Sequence, residues 1–293
     1  MNARPLRIAS AQYDIGCFQH WRDYVAKAER WAQEAADAGA QLLLWPEYAS
    51  MELASLFPRS VQLSLAEQLE HLQHLRDDFI ALYDGIARRH GLHLLPGTFP
   101  VRLDNGEYRN RAWLFGPQGL LGFQDKLQMT RFENEQWHIR PGNQIHIFET
   151  AFGKVGVAIC YDSEFPLIAR RQVELGAELI LVPSCTDTMA GYHRVRIGCQ
   201  ARALENQCYV VKSPTVGMAD WSPAVDVNIG AAGVFTPVDR GFPDNGVLAL
   251  GEFGKPQWLL ADLDLSRIAN VRDTGQVFNY RDWPGQFRCL SET

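Results

Sequence analysis

Residues 153–170 read GKVGVAICYDSEFPLIAR, and the architecture of the chain turns on them. Val155-Gly156-Val157-Ala158-Ile159 is short, apolar and β-branched, the composition of a buried strand. The character changes abruptly at Cys160-Tyr161-Asp162-Ser163-Glu164. Pro166 follows, and Leu167, Ile168, Val173 and Leu175 fall at helical spacing. A cysteine that ends a strand and precedes a helix stands where open α/β layers present reactive groups. Backbone N–H groups at such a turn can face an anion. An inert cysteine fits the same pattern, because free Cys packs as a small hydrophobe. The stretch alone leaves both readings open.

Outward from it, strand and helix alternate. Upstream, residues 6–13 (LRIASAQY) and 41–45 read as strands, separated by a helical pattern through Trp21, Tyr24, Ala28, Trp31 and Ala35. A single long helix is expected through Leu65, Leu69, Leu72, Leu75, Phe79, Leu82 and Ile86, stopping at Gly91, with a strand over 92–99. A hairpin-like region holds strands over 111–115 and 120–123, and residues 125–142 look irregular and polar-aromatic. Strands over 145–148 and 154–159 lead into the quoted turn. Downstream come a strand over 178–183, a helix over 192–207 and a strand over 209–213, then a turn-rich end with strands over 232–236, 247–253 and 258–263. No repeat or linker interrupts the pattern, which predicts an α/β fold in one domain over residues 1–293, with a docking tail from about 265.

Composition narrows the class. Of the 293 residues, 46% are hydrophobic and 21% charged, as in ordinary globular domains. The net charge of −6 argues against a nucleic-acid or anionic-membrane surface. The first residues, MNARPLRIASAQY, lack the apolar run of a secretory signal, and no apolar run approaches the roughly 20 residues of a membrane helix. A cytoplasmic location is the expectation. The six cysteines (17, 160, 185, 199, 208 and 289) contain no C-x-x-C pair and so suggest reduced thiols rather than a disulfide framework or zinc knuckle. His71 and His74 lie three apart without a third ligand nearby and read as a solvated face. No metal or other cofactor is expected.

Three polar residues end strand-like runs: Glu47, Lys126 and Cys160. A thiol that attacks a carbonyl, a carboxylate that shuttles its proton and an ammonium that stabilises the oxyanion suffice for acyl transfer. Taken singly, each also fits a bland reading, a surface charge or a core thiol.

Their surroundings decide otherwise. Leu43-Leu44-Trp45-Pro46-Glu47-Tyr48, then Asp125-Lys126-Leu127 with Arg131-Phe132-Glu133 and Trp137, then Cys160-Tyr161-Asp162-Ser163-Glu164-Phe165-Pro166, resemble in order and separation the three signature segments of the carbon–nitrogen hydrolase (nitrilase) superfamily. Pro183-Ser184, Ala201-Arg202-Ala203-Leu204-Glu205-Asn206 and Tyr209-Val210-Val211 extend the likeness, which spans about residues 6–264. The resemblance implies a four-layer α-β-β-α sandwich, paired into a homodimer or higher homo-oligomer through helices near the cysteine. It also implies Cys160 as nucleophile, Glu47 as general base, Lys126 and the Tyr161 N–H as oxyanion donors, and Glu133 as a second glutamate that positions substrate or water.

True nitrilases carry Trp-Glu after the cysteine. Here Tyr161-Asp162 stands closer to amidase and carbamoylase branches, and Ser163-Glu164 replaces the Leu-Arg or Ile-Arg of many amidases. The implied activity is hydrolysis of a small linear amide or N-carbamoyl compound through a thioester. Nitrile hydrolysis, amide condensation and a catalytically silent binding subunit are the alternatives. Tyr48, Arg131, Trp137, Tyr161, Glu164, Ser184, Thr186, Asp187 and His193 are candidates to line the substrate pocket. Of the six cysteines, Cys160 is expected to alkylate fastest. Lys126 would stabilise its thiolate and an ionised Glu47 would oppose it.

Overall fold

A computed structural model describes residues 3–290. The first half comprises β1 (Pro5–Asp14), α1 (Trp21–Asp37), β2 (Leu42–Trp45), a 3₁₀ segment (Ala49–Leu56), α2 (Arg59–Gln62), α3 (Leu65–Leu72), α4 (Arg76–His90), β3 (His93–Pro96), β4 (Phe99–Arg102), β5 (Tyr108–Gly116), β6 (Gly119–Asp125) and α5 (Arg131–Glu135). The second comprises β7 (Ile147–Thr150), β8 (Gly153–Val157), α6 (Pro166–Glu174), β9 (Leu179–Ser184), α7 (Met189–Asn206), β10 (Tyr209–Met218), β11 (Val227–Asn228), β12 (Gly233–Phe235), β13 (Val247–Leu250), β14 (Gln257–Asp264), α8 (Ser266–Thr274) and α9 (Asn279–Asp282).

The strands follow the order β4-β5-β3-β2-β1-β10-β9-β8-β7, with β14 antiparallel to the outer length of β1. The pairings β1–β2, β2–β3, β9–β10 and β8–β9 are parallel, so the loops that follow β2, β8 and β9 emerge at one end. Between β1 and β10 the pairing is short, Tyr13 with Thr215 and Asp14 with Val216, while β14 of the second half pairs with β1 from Pro5 to Gln12.

Alternation along the strands shows the layers. Leu43, Trp45, Leu94, Trp113 and Phe115 pack with Trp31, Phe79 and Tyr83 of α1 and α4. Their neighbours Leu42, Leu44, Leu95 and Leu114 turn the other way and pack with Val155, Val157 and Leu181 of the second half. That core continues to Ala169, Val195, Cys199 and Ala203 of α6 and α7. Helices, sheet, sheet and helices therefore form the expected α-β-β-α sandwich. Among the described residues, no helix is long and apolar enough to cross a membrane.

Two expected elements are each divided. The long helix over 65–91 is α3 and α4 separated by a 3₁₀ turn at Gln73–Leu75. Gln73 is drawn to the sheet edge: its Nε2 donates to Leu69 O and Pro100 O, both at 2.8 Å, and its Oε1 accepts from Arg102 N at 2.9 Å. The strand over 92–99 is β3 and β4, divided at Gly97, where φ is +78°. From residue 265 the chain packs against α6 and α7. Arg272 donates to the carbonyls of Asn206 and Gln207 at the end of α7, both at 3.1 Å, and Arg170 of α6 donates to Tyr280 O at 3.0 Å. The expected domain and tail also include residues 1–2 and 291–293, which lie outside the described residues.

Gly97 is required twice over. Its positive φ suits glycine, and a Cβ there would stand 2.0 Å from Pro46 O, next to Glu47. Gly97→Ala should therefore destabilise the protein by more than about 1 kcal/mol. Activity per folded molecule should fall as well, because the clash displaces the backbone that carries Glu47. Thermal unfolding and a turnover assay on the same preparation check both expectations.

Candidate active site

Local sequence explains how each polar group is presented. Leu42–Trp45 is buried on both faces, so β2 ends firmly and delivers Glu47 just beyond Pro46. Tyr48 then adopts a left-handed conformation (φ 59°), its N–H donating to Thr98 Oγ1 at 2.9 Å. Glu133 sits at the third position of α5 in a capping box. Thr130 Oγ1 accepts from Glu133 N at 3.3 Å, and Glu133 Oε2 accepts from Thr130 N at 2.9 Å. Cys160 is the other left-handed residue of the site (φ 49°), and Ser163 Oγ donates to its carbonyl at 2.6 Å. Gly198 of α7 lies against the Ser163 carbonyl, where a Cβ would be 2.9 Å away.

These elements bring Glu47, Lys126, Glu133 and Cys160 together. All four are almost fully buried, at 1, 1, 2 and 4% exposure. Lys126 Nζ donates to Glu47 Oε1 at 2.7 Å and to Glu133 Oε1 and Oε2 at 2.8 and 2.6 Å. Tyr48 OH donates to Glu133 Oε1 at 2.6 Å, Asn110 Nδ2 to Glu47 Oε1 at 2.9 Å, and Cys185 N to Glu47 Oε2 at 3.0 Å. Cys160 Sγ lies 3.7 Å from Cys185 O.

The electrostatics separate the two carboxyls. Burial works to raise both, but Glu133 also collects Lys126, Tyr48 and Thr130 and is held below the usual range. Glu47 is raised, by burial first, with the Glu133 charge adding to it and Lys126 opposing. Burial opposes the Lys126 ammonium too, yet Glu133 and Glu47 hold its pKa well above the ordinary value. Burial and then Glu47 push the Cys160 thiol well above its usual pKa, against the pull of Lys126. Asp162 is raised to about 7 by burial. At neutral pH the resting arrangement is a thiol beside a carboxyl of raised basicity. A base of that kind can take the thiol proton, and a fixed ammonium beside it can meet developing negative charge.

A cavity of about 510 Å³ opens over this cluster. Of the pocket candidates, Tyr48, Arg131, Trp137, Tyr161, Glu164, Thr186 and Asp187 line it. Ser184 does not. It is wholly buried on β9, and its Oγ donates to Ser213 O at 3.2 Å. His193 is exposed and does not line the cavity. Trp137 is also buried and packs tilted against Tyr48 with ring centroids 4.8 Å apart, so it shapes the wall. Position 164 lacks an arginine, but Arg194 of α7 reaches the cavity instead, 3.6 Å from Glu164.

Sequence reading missed Asn110, Thr130, Arg194 and the wall formed by residues 223–227. Two of these carried a signal. Asn110 shares a strand face with Ala112 and Leu114, a lone polar residue on an apolar face, and T-x-x-E at 130–133 is a capping box. The loop over 223–227 has no local pattern that points inward.

Residues 7–272 match the carbon–nitrogen hydrolase family, and the chain belongs to that family. It is 32% identical to the probable hydrolase YhcX of Bacillus subtilis over 96% of its own length, and spans only 54% of that longer protein. Omega-amidase NIT2 of Homo sapiens is 27% identical, with 94% of each chain covered. Among solved structures, a carbon–nitrogen hydrolase from Helicobacter pylori G27 superposes with a TM-score of 0.76 at 18% identity, covering 99% of both chains. An amidase variant from Nesterenkonia sp. AN1, with the acetamide moiety of fluoroacetamide added to its active-site cysteine, gives 0.74 at 22% identity over 98% of this chain and 96% of that one.

Cys17 is exposed, whereas Cys160 is buried and its thiol is pushed up by burial and then by Glu47, so the expected selectivity for Cys160 is best tested with Cys17 removed. The side chain of Cys289 lies outside the described residues. In a Cys17→Ser background, loss of activity with iodoacetamide should track modification of Cys160. Glu47→Gln should slow that labelling at least tenfold, because no base remains to remove the proton. Peptide mapping reads it, and unchanged labelling would mean that Lys126 alone maintains the thiolate.

Proposed function

We propose that the protein hydrolyses a small linear amide or N-carbamoyl compound, using Cys160 as nucleophile and passing through a thioester. The observation that carries this reading is the convergence of the Cys160 thiol with Glu47, Lys126 and Glu133 on the floor of one cavity. The omega-amidase relatives and the acetamide adduct on the cysteine of the Nesterenkonia amidase support it.

In this reading Glu47 accepts the thiol proton as Sγ attacks the carbonyl carbon. The carbonyl oxygen becomes an oxyanion facing Lys126 Nζ and the Tyr161 N–H. Glu47 returns the proton to the departing nitrogen as the C–N bond breaks, leaving a thioester and ammonia or an amine. Water enters, Glu47 takes its proton, and attack on the thioester releases a carboxylic acid and restores the thiol. Glu133 holds Lys126 as ammonium throughout. No cofactor is required.

The chain would act as one domain in the cytoplasm, where free thiols persist, and as a homodimer or higher homo-oligomer. Leu167 of α6 and Ile197 and Leu204 of α7 expose large apolar side chains behind the Cys160 turn, a surface suited to a second copy.

Cys160→Ala should abolish ammonia release from a panel of small amides while leaving the circular dichroism unchanged. Mass spectrometry of quenched wild-type enzyme should find an acyl group on Cys160. Turnover by the alanine variant would refute the reading. Lys126→Met should cost about 10² or more in kcat, the scale of one lost oxyanion donor. An effect on KM alone would make Lys126 a substrate-binding group instead.

The pH profile offers an independent check. Glu47 must be ionised to accept the proton, and its pKa is raised, so activity is lost as pH falls through that raised value. The acid limb of kcat/KM should accordingly lie above the ordinary glutamate value of about 4.3. A limb at or below that value would remove Glu47 as the base.

A further inference from the structure

Lys126 and Cys160 sit on loops that are far apart in the chain, one after β6 and one after β8. The backbone of Lys126 is fixed from one side, its N–H donating to Asn110 O at 2.9 Å and its carbonyl accepting from Gly142 N at 2.7 Å. From the other side stands a single buried carboxylate that no step of the reaction uses. Asp162 Oδ1 accepts from Leu127 N at 3.1 Å and Gln128 N at 2.7 Å. Its Oδ2 accepts from Ile159 N at 3.1 Å and shares Leu127 N at 3.2 Å. These donors belong to the residues just after Lys126 and just before Cys160, and the Asp162 side chain has no exposed surface.

We propose that Asp162 is a positioning residue that sets the spacing of the Lys126 ammonium relative to the Cys160 sulfur, a role that rests on Cys160 being the nucleophile. The geometry calls for two accepting oxygens. Three backbone N–H groups from two loops converge on Asp162, and both oxygens must accept. A carboxamide of the same shape offers one accepting oxygen, and its NH₂ would face a backbone N–H. At least one buried donor then loses its partner, and the two loops are no longer tied at a common point. Misplacement of a reacting group by about 1 Å is enough to cost on the order of 10²-fold in rate. The damage falls on the step that needs both loops at once. Oxyanion formation requires sulfur on one side of the carbonyl and ammonium on the other. Simple alkylation of the sulfur forms no oxyanion, so it does not need the ammonium placed at a carbonyl oxygen.

Asp162→Asn should separate these two steps. With enzyme concentration set by folded protein, kcat for an amide should fall 10- to 100-fold, with KM within about threefold. Alkylation of Cys160 by a small neutral electrophile, in the Cys17→Ser background, should stay within about threefold of wild type. Unchanged kcat overturns the proposal. Equal loss of turnover and alkylation overturns it as well, since that is the signature of a scaffold residue. Should Asp162→Asn fail to fold, the same two rates are read on Asp162→Glu, which keeps the charge and displaces the oxygens by a methylene. That variant is expected to show the same split. Ammonia release by Cys160→Ala would instead refute the nucleophile assignment, whatever Asp162 does.

Discussion

A lysine ammonium held between two buried carboxylates is the constraint on which this site depends. Burying a carboxylate costs several kcal/mol unless it is paired and hydrogen-bonded, and two carboxylates sharing a space repel each other. Lys126 resolves both problems by donating to Glu47 and Glu133 together. Its three donors cannot serve the two carboxyls equally. Glu133 takes two contacts from Lys126 and further bonds from Tyr48 and Thr130, while Glu47 receives one from Lys126 and the rest from Asn110 and Cys185. Burial raises Glu47 because its share of Lys126 does not offset it, whereas the bonds Glu133 collects hold it low despite burial, and the raised carboxyl lies beside the thiol.

The geometry of that triplet dictates much of the fold around it. Glu47 comes from the end of β2, Lys126 from the end of β6, Glu133 from the first turn of α5 and Cys160 from the turn after β8. A sheet that presents several strand ends together brings them within reach. Strain accumulates at the same place. Four described non-glycine residues have positive φ, and Tyr48 and Cys160 are two of them. Each such residue costs on the order of 1–3 kcal/mol and persists where its surroundings over-determine it. Here the surroundings are Thr98 under Tyr48 and Ser163 with Gly198 under Cys160.

What the sequence discloses follows from range. Glu47, Lys126 and Cys160 end strand-like runs, a local signal that alone also fits surface charges or a core thiol, and the motif segments around them made them legible. So were most strands, because alternation and β-branching reflect burial of nearby backbone. The break between α3 and α4 was not, because its cause is a bond from Gln73 to β4, about thirty residues on, within an unbroken helical pattern. Ser184 misled for a related reason: a serine at a strand end looks available, but β10 had already claimed its hydroxyl. The protonation state of Cys160 was also beyond local reading, since it depends on how deeply the assembled sandwich buries the sulfur and where Glu47 sits.

The cavity rim shows how charge can be rearranged without being lost. Position 164 holds a glutamate where a related arrangement would hold an arginine, and the arginine arrives from α7 instead. Arg194 lies 3.6 Å from Glu164, with 61% of its side chain exposed against 21% for the glutamate. A pair that open to solvent contributes at most about 1 kcal/mol, because water and salt screen it and holding two long side chains costs entropy. Either partner can therefore turn from the other to a substrate group of opposite charge with little loss. The buried triplet below has no such freedom, since separating any of its members strands a charge out of water. The site thus combines a floor whose protonation is set by burial and by unequal sharing of one lysine with a rim whose charges are only loosely committed. Changes at the rim can alter which amides are admitted without disturbing the chemistry beneath.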